Sequence, residues 1–170
     1  MRQVARWLER GLEWFLILQM ALLTAVVVYA VIMRKAGVSA SWYDEVAAIQ
    51  LAWITYYGAG LAALKRRHIG FDGVLLAMGP ALRRPAVFLA EGLTLGFFAL
   101  MTWSGLEVLA VLEGMSLISL TWVPVQFTQS VIPIGGALFI GASLLSFPDY
   151  LRATMAGVSM EHAEIEEAVR

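Results

Sequence analysis

Cysteine is absent from this chain and histidine occurs only twice in 170 residues. Without thiols there can be no disulfide, no thiolate metal site, no iron–sulfur cluster and no thioether-linked haem. The two histidines do not fill the gap. His68 follows the basic run Lys65-Arg66-Arg67, and His162 lies in an acidic C-terminal stretch, so neither is placed to ligate haem from an apolar helix. A metal site built from His162 with Glu161, Glu164 and Glu166 lacks any strong ligand spacing. Phosphate-binding glycine loops and nucleophile elbows are also missing, and Gly135-Gly136 sits inside an apolar run. The residues therefore point to no cofactor and to no enzyme.

Charge is the other scarcity. Only 15% of residues are charged against 60% hydrophobic, too little polar surface for a soluble domain of this size. The charges that exist leave long gaps. Trp14–Met33 and Val46–Leu64 contain none, Glu91 and Glu107 bracket 15 uncharged residues, and nothing between Glu113 and Asp149 is charged. Roughly 20 apolar residues in a helix cross a hydrocarbon core of about 30 Å, and only a helix satisfies its own backbone there. The expected fold is an all-α integral membrane protein with four transmembrane helices, at about 13–33, 46–64, 87–110 and 126–147. These form one membrane domain over 1–151, followed by an acidic tail over 152–170. A cleaved signal peptide is not the reading for the first span. Its apolar run is too long, and Arg34-Lys35 separate it from the small residues Val38-Ser39-Ala40.

Ten of the twelve basic residues fall before the first span, between the second and third, or after the fourth; Arg34 and Lys35 are the other two. The positive-inside rule then makes both termini cytoplasmic. Topology accounts for the basic residues, so they indicate no nucleic-acid partner. Val4, Trp7, Leu8 and Leu12 share a helical face and predict an N-terminal amphipathic helix along the membrane surface before the first span. Phe71, Val74, Leu75 and Met78 repeat the spacing and predict a short interfacial helix between spans two and three, ended by Gly79-Pro80. Trp42, Tyr43 and Trp122 suit an aromatic belt in contact with membrane lipids.

Transport chemistry is thin. Glu91 and Glu107 are the only carboxylates available to a span, and both lie near its ends. The expectation is that Glu91 reaches the interface near Arg83 and Arg84, and that Glu107 reaches the opposite headgroups. Pro133 could kink the fourth helix. Small residues one turn apart, at Gly92 and Gly96, at Ala21 and Ala25, and at Gly58 and Ala62, permit close helix contact. Asp44 and Glu45 should cap the second helix and complement its dipole.

Ser41-Trp42-Tyr43-Asp44-Glu45, then Gln50-Leu51-Ala52-Trp53 and Tyr57-Gly58-Ala59-Gly60, resemble the small membrane subunit of tripartite ATP-independent periplasmic (TRAP) transporters. His68-Ile69-Gly70-Phe71-Asp72 and Pro133-Ile134-Gly135 match further elements of that family in the same order. The resemblance implies a bacterial inner-membrane uptake system. In it a periplasmic substrate-binding protein delivers an organic anion to a large multi-spanning membrane subunit driven by sodium, and the small subunit braces the large one. It also nominates Trp42, Asp44, Glu45, Trp53, Gly58, His68, Asp72, Gly92, Gly96, Pro133 and Gly135 as partner-interface or structural residues. Two other readings stay open on the residues alone: a membrane anchor for a respiratory-type enzyme complex, and a small autonomous exporter relying on Glu91.

Overall fold

The computed structural model describes residues 2–38, 41–66, 75 and 78–157. His68, Asp72, most of the expected interfacial helix and all but the first residues of the acidic tail lie outside them. The described residues form helices without strands: α1 (Arg2–Lys35), α2 (Trp42–Lys65), α3 (Pro80–Val111), a short α4 (Val125–Gln129) and α5 (Val131–Met155). Four helical segments are long and apolar enough to cross a membrane, Ala5–Lys35, Trp42–Lys65, Leu82–Val111 and Val125–Met155, the last spanning α4 and α5.

The helix ends follow local chemistry. Gly79 precedes α3 and Pro80 opens it, where a missing N–H costs nothing. Arg66 ends α2 in the left-handed region at φ 51°, its N–H returning to the carbonyls of Ala62 and Ala63. Pro133 sits in the first turn of α5, and the fourth span is divided just ahead of it, at Ser130 between α4 and α5; proline has no N–H to return to the carbonyl of Gln129, which fits the expected break.

The N-terminal segment departs from expectation. Instead of an amphipathic helix turning into a separate span, α1 is one uninterrupted helix of 34 residues. At 1.5 Å per residue that is about 50 Å, well beyond the hydrocarbon core. Lys65 explains the continuity, because it binds Glu9 at 3.1 Å and Glu13 at 2.5 Å and holds these turns against the end of α2.

The packing order is α1 on α2, α2 on α5, and α5 on α3. The α1/α2 and α3/α5 pairs are antiparallel, whereas α2 and α5 run parallel, their contacts advancing together from Trp53–Thr128 to Ala63–Ser146. Among the described residues α1 has no extensive contact with α3 or α5, so the four spans make an open row rather than a closed bundle. α5 occupies an inner position because consecutive glycines open both of its sides. A Cβ on Gly135 would stand 2.7 Å from Cβ of Tyr56 on α2, and one on Gly136 would collide with Thr102 Oγ1 on α3. Gly60 of α2 receives Leu138, and Gly105 of α3 receives Ile132 and Pro133. Phe98 of α3 stacks on Phe139 of α5 at 3.6 Å, beside the buried Ala63 and Ala142. This close approach of small residues is what holds helices together where lipid competes with every apolar contact.

Candidate functional site

Two polar clusters lock the row, one at each end. At the basic end the guanidinium of Arg66 donates to both oxygens of Glu91, at 2.7 and 2.9 Å. It also donates to Ser146 Oγ at 2.8 Å and to the carbonyl of Ser143 at 2.7 Å. Ser143 Oγ in turn donates to Glu91 at 2.6 Å. The rings of Tyr150 and Phe147 lie 4.8 and 5.7 Å from the guanidinium carbon. One residue at the end of α2 thus joins α3 to α5. The two side chains keep only 13% and 12% of their surface exposed, and each charge is met by its opposite and by hydroxyl or carbonyl groups. Such saturation is what allows a carboxylate to persist within a spanning helix.

Glu91 therefore does not reach toward Arg83 and Arg84 as expected. Arg66, in the left-handed turn that ends α2, takes Glu91 instead. Arg83 serves another seam: its Nε donates to the carbonyl of Leu75 at 3.1 Å, and its terminal nitrogens donate to Met78 and Thr154 at 3.2 Å each. It ties the chain ahead of α3 to the end of α5. Glu107 stays exposed and accepts a 2.9 Å bond from Trp103 Nε1.

At the opposite end Glu45 does something its position at a helix start did not announce. Its carboxylate accepts the backbone N–H of Ile118 at 3.1 Å and of Ser119 at 2.9 Å, while Ser119 Oγ donates to the carbonyl of Ser41 at 3.0 Å. No side chain caps α2, so Glu45 complements the dipole but spends its hydrogen bonds on the loop between α3 and α4. That loop is further pinned by Leu117 N–H to Val123 O and by Val125 N–H to Met115 O. It presents Ile118 and Trp122 outward, 92% and 79% exposed. Asp44 is exposed beside it. Trp42 packs its ring on Tyr29 at 5.8 Å, and Arg34 bonds the hydroxyl of Tyr43, closing α1 onto α2.

The residues nominated from the sequence now separate by role. Trp53 is turned inward, donating to the carbonyl of Thr128 at 3.2 Å between the rings of Tyr57 and Phe127. Pro133 and Gly135 serve contacts within the chain. Gly58, Gly92 and Gly96 have nothing within 4 Å of where a Cβ would stand. On α3, Gly92 and Gly96 are exposed together with Leu93, Leu100 and Trp103, while Val87, Glu91, Phe98 and Gly105 turn toward α5. Arg66 was missed as a site residue. Its signal was an arginine directly after an apolar span with an in-span glutamate elsewhere, a pair that only tertiary packing can match.

Comparison with protein families gives a match to the model for the DctQ component of tripartite ATP-independent periplasmic transporters over residues 23–152. No individually curated protein matches the chain. The matched region begins inside α1, takes in both polar clusters and ends at Arg152, three residues before α5 does. With four membrane-spanning segments and most of its length within that match, the chain belongs to the DctQ family of TRAP transporter components.

Proposed function

We propose that this chain is a static scaffold in the bacterial inner membrane, with both termini in the cytoplasm. It braces a large multi-spanning subunit that takes up an organic anion, a carboxylate or sugar acid, using a sodium gradient. A periplasmic binding protein supplies that anion. The observation that carries the reading is the open row of helices, fastened at both ends, whose α3 leaves Gly92, Leu93, Gly96, Leu100 and Trp103 unpacked. Small residues between large ones let a neighbouring helix approach closely, and a row offers more lateral surface than a closed bundle of the same length.

The polar chemistry supports bracing over transport. Within the described spans Glu91 is fully engaged with Arg66 and Ser143, so its charge is matched in place and is not held ready for a moving ion. An autonomous exporter would need that carboxylate to release its partner and titrate.

Reconstitution tests the proposal. Proteoliposomes holding the large subunit, its binding protein and this chain should accumulate the anion when sodium is outside, and those lacking this chain should not. Uptake at the full rate without the chain would contradict the scaffold role, and uptake by this chain alone would make it a transporter.

A further inference from the structure

We propose that the outer face of the first turns of α1 binds the headgroup of an anionic phospholipid, with the acyl chains lying along the helix below. Gln3, Arg6, Trp7 and Arg10 line a groove there of about 270 Å³. The charges on this part of α1 are sorted by side. Glu9 and Glu13 face α2 and are taken by Lys65, which keeps both carboxylates off the opposite face. Arg6 and Arg10, one turn apart, stay exposed and form no ion pair among the described residues. Two guanidinium groups so placed suit a phosphodiester, which accepts paired N–H donors in the plane of each fork.

The occupant is identified by what continues below the arginines. Trp7 is 77% exposed, and at helical spacing the same face goes on through Trp14 at 71% and Ile17 at 58%. α1 runs without interruption from this groove into the uncharged stretch Trp14–Met33. A site that passes within two turns from paired arginines through indoles to bare aliphatic surface matches the profile of a phospholipid from phosphate to acyl chain. A free phosphate would use only its upper part.

The test uses the full-length chain in nanodiscs of phosphatidylethanolamine and phosphatidylglycerol in equal amounts, released gently and weighed with its retained lipid by native mass spectrometry. Phosphatidylglycerol should be enriched roughly thirtyfold over phosphatidylethanolamine, the order expected for two basic residues at about 1 kcal/mol each at a membrane surface. Arg6→Gln with Arg10→Gln should abolish the enrichment without changing helicity, and Arg152→Gln should leave it intact. Equal retention of the two lipids by the unchanged chain, or enrichment that survives the double substitution, would overturn the proposal. Loss of enrichment on adding inorganic phosphate would do so too, by showing a site for the free anion. A photoreactive residue replacing Trp7 that labels a co-expressed protein instead of lipid would reassign the face as a protein interface. Because the substituted chain could misfold, quenching of the unchanged chain's tryptophans by brominated phosphatidylglycerol provides a second reading. It should exceed quenching by the brominated phosphatidylethanolamine, and equal quenching would count against the site.

Discussion

Arg66 and Glu91 meet through two parallel hydrogen bonds of 2.7 and 2.9 Å although 25 positions separate them in the chain. The pair joins the residue just after one spanning helix to the cytoplasm-side half of the next as the topology is proposed, and Ser143 and Ser146 extend it to a third. A double substitution cycle should expose this coupling. Glu91→Gln alone strands a largely buried guanidinium and should cost about 3–5 kcal/mol, while Arg66→Met with Glu91→Leu should cost less than either single change. Thermal unfolding in one detergent measures it; additive losses would mean the pair is not coupled.

Arg66 also holds a backbone conformation, and the two roles can be parted. Arg66→Gly keeps the left-handed turn at φ 51° and removes the ion pair, whereas Arg66→Ala loses both. Alanine should therefore be the less stable of the two, by about 1 kcal/mol. Equal stability would show that the turn needs no left-handed residue.

Lys65 offers a contrast one residue earlier. Its pairs with Glu9 and Glu13 are about a third exposed on the carboxylate side. Lys65→Gln should cost no more than about 1 kcal/mol, and the loss should shrink as salt is raised. A loss as large as that of Glu91→Gln would show that the α1–α2 seam depends on it.

Glu45 is expected to hold the loop between α3 and α4 by two charge-assisted bonds to backbone N–H groups. Glu45→Ala should speed amide exchange at Ile118 and Ser119 roughly tenfold or more, since both N–H groups lose their charged acceptor. Exchange elsewhere in α2 should change little. Unaltered exchange at both amides would remove the loop-holding role.

The spans were legible because a bilayer demands long uncharged runs, and Trp14–Met33 and Val46–Leu64 can be nothing shorter than a full crossing. The family was legible in the order of short motifs from Ser41 to Gly135. Tertiary pairings were not. Sequence periodicity cannot show that Glu45 serves residues 73 and 74 positions later, nor that Gly135 and Gly136 each admit a different neighbouring helix. The continuity of α1 was missed for a related reason. The change from amphipathic to apolar pattern near Leu12 suggested a bend, but the ion pairs that hold the first turns against α2 come from Lys65, on another element.

The small-residue motifs divide in the same way, and this bears on the scaffold itself. Gly135 and Gly136 are filled by this chain's own side chains, so leucine at either should disrupt the fold; Gly92 and Gly96 face open space. The most direct measurement is co-purification of the chain carrying Gly92→Leu and Gly96→Leu with its co-expressed large subunit. The substituted chain should stay folded and membrane-inserted but no longer retain the large subunit in equal amount. Full retention of that subunit would contradict the claim that the open face of α3 is where this scaffold holds its partner.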